Sequence, residues 1–177
     1  MREVAGLRVL LAAALMTLVM GCDNIVEPTK YTTVEDAKAF ATTRKEVKAV
    51  FDTAATSAIE AVGGEEIRNG DRVRDVTCGE PYGKEFLELE IGGSFVTRRA
   101  GFDAVVTRVR DAWEKQGWTV ELTDPDRMLL TTETSTGVRV TGLATVQEAA
   151  NDPQNVAVGL RLGTGCLKVP KSVADDL

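Results

Sequence analysis

The chain has 177 residues, of which 44% are apolar and 27% are charged, values that are ordinary for a globular protein. It carries 27 acidic and 21 basic residues, and this net charge of −6 disfavours binding to DNA or RNA, which draws its affinity from cations placed on phosphates. The sequence contains no histidine, so any mechanism lacks the most common general base and the most common metal ligand.

Residues 1–21 have the pattern of a bacterial export signal. Two arginines precede an apolar run over residues 9–20, which is too short to cross a bilayer comfortably as a helix. The run closes in LVMGC, and a small residue directly before a cysteine at this place resembles the lipobox of bacterial lipoproteins. That resemblance implies transfer of diacylglycerol to the Cys22 thiol, cleavage between Gly21 and Cys22, and acylation of the new amino group, for example with palmitate.

The alternatives for this segment are an ordinary signal peptide or an uncleaved anchor with an incidental cysteine. If Cys22 is lipidated, two or three acyl chains hold the protein stably on the outer face of the cell membrane, since one chain alone binds only marginally. Residues 22–31 then form a lipidated tether, and residues 32–177 form a single exported domain that is long enough to bury a hydrophobic core.

A long amphipathic helix is the first predicted element of the exported domain. Thr32 with Glu35, or Thr33 with Asp36, has the spacing of a capping box at its start. Apolar residues then recur at helical spacing as far as residue 62, where a Gly-Gly pair ends the helix.

A strand and a second helix come next. The polar stretch EEIRNGDRVRD is typical of turns and leads into Cys78. Residues 84–96 alternate between apolar and polar side chains, which predicts a half-buried strand. The second helix covers about residues 99–116, with an apolar stripe that ends at Trp113 and with Gly117 at the C-terminal cap.

The last part of the chain predicts a meander of four strands, over residues 118–123, 127–134, 137–147 and 155–164. Each has one polar and one apolar face, which suits an antiparallel sheet with both helices on one side. The sequence therefore predicts an α+β fold, a two-layer sandwich of two helices on one face of a largely antiparallel sheet of about five strands.

Cys78 and Cys166 are the two cysteines of the exported domain, one just before its first clear strand and the other just after its last. In an oxidising compartment such a pair tends to form a disulfide, and closing so long a loop would stabilise the fold by roughly 4.5 kcal/mol. Two buried free thiols or a redox pair are the alternatives, although the sequence has neither a CxxC spacing nor an evident activating group.

The order of these features resembles the LppA-like lipoproteins of mycobacteria and related actinobacteria. The resemblance covers most of residues 34–167 and rests on the lipobox, the amphipathic helix and a few positions: Cys78, Gly101-Phe102, Gly117 and Gly165-Cys166-Leu167. It implies a fold, a lipid anchor and an envelope location. Because the function of that family is uncharacterised, it implies no catalytic residue.

Several patterns invite a functional interpretation, and each has a plainer structural one. Gly163-Thr164-Gly165 lacks the following helix of a phosphate loop, so a turn is favoured. The carboxylate pairs lack the spacing of a calcium loop and are better explained as turns or solvated faces; they are Asp124 with Asp126 and Glu65 with Glu66.

Two further groups remain. Arg98-Arg99, with Arg108 and Arg110, could meet an anionic partner such as a phospholipid head group, although solvated arginines are the commoner explanation. Trp113 and Trp118 bracket a helix–strand corner, where core packing is favoured over a platform for carbohydrate.

These observations favour a non-catalytic, lipid-anchored envelope domain that binds or scaffolds an envelope protein or a lipid and needs no cofactor or metal. One alternative is a carrier that holds a lipid or another apolar molecule in a pocket between sheet and helices. The other is an envelope enzyme that uses only carboxylates or lysine, which would require a cleft with converging Asp or Glu side chains.

Overall fold

A computed structural model of the chain describes residues 31–68, 72–98, 100–149 and 152–175. The predicted signal peptide and the lipidation site at Cys22 lie outside these residues. The elements, in chain order, are β1 (Thr32–Thr33), α1 (Ala37–Val62), β2 (Glu65–Arg68), β3 (Arg74–Thr77), β4 (Phe86–Thr97), α2 (Phe102–Glu114), β5 (Thr119–Asp124), β6 (Arg127–Glu133), β7 (Arg139–Ala149), β8 (Asp152–Gly163), β9 (Leu167–Lys168) and α3 (Lys171–Ala174).

Among the described residues the strands form one mixed sheet, in which only β1 and β9 pair in parallel and all other pairs are antiparallel. The long strand β4 organises it, because β2 and β3 share one edge of β4 while β8 and β9 share the other. On the far side of β8 and β9 lie β7 and β1, and β6 and β5 complete the sheet. The nine strands therefore occupy six positions side by side.

The helix α1 begins four or five residues later than the sequence predicts. Thr32 and Thr33 belong to β1, so neither predicted capping box forms, and Asp36 caps the helix by accepting a hydrogen bond from the Ala39 backbone N–H at 2.7 Å. At its other end Gly63 adopts a left-handed conformation with φ of 66°, which confirms the predicted stop.

The helix α2 packs against α1 and covers β5, β6 and β7, while α1 covers β4 and β8, so both helices lie on one face of the sheet. Trp113 is fully buried, and its indole N–H donates to the Ala54 carbonyl of α1 at 2.9 Å. The helix ends at Glu114 with Lys115 as its cap, and not at about residue 116 with the predicted cap Gly117, which lies two residues beyond Lys115 with φ of 80°.

One hydrophobic core fills the space between the helices and the sheet. The strand faces that the sequence predicts to be apolar are buried as expected: Val138, Val140, Ala144 and Val146 in or beside β7, and Val156, Val158, Leu160 and Leu162 in β8. We call the opposite side of the sheet, on which Glu88, Glu90 and Arg161 lie, the open face.

The predicted α+β class is therefore correct, whereas the predicted counts of about five strands and two helices are too low. The missed strands are two to four residues long, and β2 and the first half of β3 lie in the polar stretch for which the sequence predicts turns. These strands form because the edges of β4 and β9 offer unpaired backbone groups. This is a tertiary effect that the local sequence pattern does not predict. The missed helix α3 has only four residues.

Candidate functional site: a cationic pocket between α1 and β3

The predicted cysteine pair lies at the end of the sheet where β4 starts. The Sγ atoms of Cys78 and Cys166 are 2.18 Å apart and their Cα atoms 6.1 Å, which is disulfide distance across 88 positions of sequence. Both residues are tied into the sheet by backbone hydrogen bonds, from Cys78 N–H to the Phe86 carbonyl at 3.0 Å and from Thr32 N–H to the Cys166 carbonyl at 3.4 Å. The pair closes this end of the sheet.

A surface cavity of about 360 Å³ between α1 and β3 is lined by four basic side chains. They are Arg44, Lys45 and Lys48 of α1 and Arg72 of the segment that leads into β3, with Val73 as the remaining wall. We call this cavity the cationic pocket. Its volume is within the usual range for small-molecule sites.

The fold brings these residues together through two separate elements. The buried residues Phe40, Val47 and Phe51 fix the rotation of α1, so residues 44, 45 and 48 project along one flank of the helix. The strand β3 pairs with β4 from residue 74 onward, which places Arg72 and Val73 beside that flank. Val73 is only 8% exposed and holds this short segment against the core.

Two of the four cations are held by carboxylates. The Arg44 guanidinium donates to Asp75 of β3 and lies 5.3 Å from the centre of the Phe40 ring, and Lys48 pairs with Asp52 one turn further along α1. The side chain of Asp75 is 10% exposed, and its Oδ1 atom has no hydrogen-bond partner among the described residues.

The other two cations, Lys45 and Arg72, are exposed, and within the described ranges neither has an ion-pair partner. Four cations thus line the pocket and two of them are paired with carboxylates, on a chain whose net charge is −6. This arrangement suits an anionic group that is bound by charge-assisted hydrogen bonds, for which arginine offers a planar fork and lysine a point charge.

A second charged cluster lies on the open face. Glu90 is 5% exposed and forms ion pairs with Arg161 of β8 and with Arg74 of β3, the latter at 3.7 Å. Burial raises the pKa of the neighbouring Glu88 carboxyl and the charge of Glu90 raises it further, while Arg161 and a hydrogen bond from the Gly165 backbone lower it. The two glutamates stand side by side because they are two residues apart on one strand.

The other sequence candidates remain apart from both clusters. Asp124 meets Arg127 at 3.9 Å across the β5–β6 turn, and Arg110 pairs with Asp111 and Glu114 on its own helix. Thr164 lies in the short connection between β8 and β9, where its hydroxyl accepts from the Leu89 backbone N–H at 3.1 Å. The side chains of Glu65, Glu66 and Arg99 lie outside the described residues.

The sequence interpretation missed the cationic pocket. Its local signal was the segment RKEVK, with cations at helical positions i, i+1 and i+4, but one helix flank with three cations is usually a solvated face. The fourth cation comes from a segment that was interpreted as a turn, and its approach to α1 depends on the pairing of β3 with β4.

No group of three or more Asp, Glu or Cys side chains in the described part of the chain could hold a metal ion. Within the same ranges no helix combines the length and the apolar character needed to span a membrane. Comparison of the chain with protein-family models, curated proteins and solved structures found no match.

Proposed function

We propose that this chain is a lipid-anchored protein of the bacterial cell envelope whose exported domain binds an anionic ligand without transforming it. In this proposal the chain is cut before Cys22, acyl chains on Cys22 hold it at the outer face of the membrane, and the cationic pocket is the binding site. The resemblance to the LppA-like lipoproteins is in keeping with such an address and belongs to the same proposal.

The pocket carries this proposal because its charge is opposite to that of the molecule. An acidic chain does not gather four cations around one cavity by composition alone, and Lys45 and Arg72 are not used in ion pairs among the described residues. Phosphate-bearing groups fit best, since they accept several hydrogen bonds from arginine and lysine together.

A carrier with an apolar pocket between sheet and helices has less support. The three largest fully buried side chains, Trp113, Phe51 and Phe95, occupy that space, each at most 2% exposed. The hydrogen bond from the Trp113 indole to Ala54 further ties α2 to α1. A lipid entering between the layers would have to displace these rings, at a cost of several kcal/mol for each.

A carboxylate-dependent enzyme stays as the second candidate, on the evidence of one pair of residues. Glu88 has a raised pKa beside Glu90, and a carboxyl of raised pKa next to a second carboxyl is an arrangement that acid–base catalysis uses. Glu90, however, is engaged by two arginines, and an open sheet face gives a substrate little enclosure.

The binding proposal is tested with the lipidated protein in a non-ionic detergent and inorganic pyrophosphate as the probe, by calorimetric titration at low salt. The variant Lys45→Ala/Arg72→Ala removes the two unpaired cations and leaves the Arg44–Asp75 pair intact. We expect its affinity to fall by about tenfold or more, equivalent to about 1.4 kcal/mol. Binding should also weaken as salt rises, because the pocket is open to solvent.

The matched control is Arg139→Ala, which removes an exposed arginine at the start of β7 and should leave the affinity unchanged. An equal affinity in the wild-type protein and the double variant would contradict the assignment of the pocket. An equal loss in the control would show that only the net charge of the protein matters.

A further inference from the structure

Three aromatic rings cluster at the end of the domain where the described chain begins. The Tyr31 and Tyr82 rings each lie 5.0 Å from the Phe86 ring, between centroids, and the Lys168 ammonium lies 5.9 Å from the same ring. Tyr31 is 44% exposed, so it is accessible from outside the domain. We call this group the aromatic end.

The backbone next to the aromatic end is paired with neighbouring strands. Thr32, next to Tyr31, pairs with Leu167 of β9, and Phe86 begins β4 opposite Lys168. Val34 N–H also donates to the Lys168 carbonyl at 2.8 Å. The backbone that carries Tyr31 and Phe86 is therefore continuous with the hydrogen-bonded sheet.

The position of the aromatic end in the sequence indicates which surface it faces. Only eight residues, 23–30, separate Tyr31 from Cys22, and the nine residue-to-residue steps span at most about 30 Å when extended and about 17 Å as a flexible coil. If Cys22 carries acyl chains in the bilayer, the aromatic end is the part of the domain closest to the lipid surface.

The chemistry of the end matches that position. Tyrosine has an apolar ring and a polar hydroxyl, and it favours the headgroup layer of membranes. The exposed lysines at this end, Lys84 and Lys168, are offset by Glu80 and Glu85, so the attraction would come from the rings and not from net charge.

We propose that the aromatic end rests in the phospholipid headgroup layer and fixes the orientation of the domain on the membrane. This inference rests on the proposed lipid anchor. It also places the cationic pocket relative to the membrane. Residues 44–48 lie seven to eleven positions after the start of α1, which is about 10–17 Å along the helix from the aromatic end.

The test places an indole reporter at two sites of matched exposure in the lipidated protein. Tyr31→Trp reports from the aromatic end, and Leu143→Trp reports from the open face, where Leu143 is 43% exposed. Position 143 lies in register with Gly92, six residues along β4 from Phe86 and thus about 20 Å away. The emission of Trp113 and Trp118 is subtracted with the wild-type protein.

Both variants are bound to phosphatidylcholine vesicles that contain a headgroup-nitroxide lipid, which quenches indoles only near contact. We expect a loss of emission from the reporter at position 31 and none from the reporter at position 143. Equal quenching of the two reporters, or none at position 31 in protein that floats with the vesicles, would overturn the orientation and leave the anchor standing. Failure of the protein to float with the vesicles would overturn both.

Discussion

Arg44 of the cationic pocket is held by two contacts at once. The carboxylate of Asp75 and the ring of Phe40 both restrain its side chain. Because Asp75 belongs to β3, the pair also ties the edge strand to α1. Lys45 and Arg72 line the same cavity, and the restrained guanidinium reduces the entropy that a bound anion would have to remove.

Glu88 gives a prediction at the same scale, about stability and pH. Its pKa in the folded protein is raised above the ordinary value of 4.5, so the folded state holds the proton more readily than the unfolded chain does. The stabilisation that Glu88 contributes is therefore fully present below its pKa in the unfolded chain. It is lost as the pH rises through its pKa in the folded protein.

The variant Glu88→Gln removes this titration. Between about pH 4 and pH 7 it should lose less stability than the wild-type protein, by on the order of a few tenths of a kcal/mol, since the carboxyl stays in contact with solvent. Urea unfolding at several pH values measures the difference, with Glu60→Gln on α1 as the control for the loss of one charge. Parallel curves for Glu88→Gln and the wild-type protein would contradict the prediction.

Elements with a strong periodic pattern were predictable, and those formed by pairing alone were not. The stripe of α1 and the alternation in β4, β7 and β8 predict their buried faces, because burial selects apolar residues at fixed spacing. The start of α1 was misplaced since Thr32 and Thr33 have capping chemistry, yet their backbone is taken by β9. Local propensity was overridden by a tertiary contact.

The observed helix start makes its own prediction. Asp36→Ala removes the hydrogen bond to the Ala39 N–H and should destabilise the domain by about 1 kcal/mol. Glu35→Ala, at the exposed neighbouring position, removes the same charge without the cap and should cost clearly less. Equal shifts of the urea midpoint in the two variants would show that charge, and not capping, sets the effect.

At the scale of the whole molecule, the cysteine pair, the aromatic end and the cationic pocket lie toward one end of the domain. The paired cysteines, the aromatic rings and the first described residue share the end where β4 starts, and the cationic pocket opens along the near half of α1. The sequence alone predicted the cysteine pair from its position around the strands. It could not predict the pocket, because Arg72 reaches α1 only through the edge pairing of β3.

A disulfide between Cys78 and Cys166 would connect these parts covalently. Reduction, or the variant Cys78→Ser/Cys166→Ser, should lower the free energy of unfolding by as much as roughly 4.5 kcal/mol, because the bond closes a loop of 88 positions. A non-reducing peptide map of exported protein should show the two peptides joined. Recovery of both cysteines freely alkylated would mean that the thiols are close but not bonded.

The export and anchoring of the chain are tested most directly by intact-mass and N-terminal peptide analysis of the protein extracted from membranes. We expect a mature chain that begins at Cys22 and carries a diacylglyceryl group on its thiol, and Cys22→Ala should release the domain from the membrane. A chain recovered from the cytosol with Met1 in place and no fatty acid attached would contradict the account.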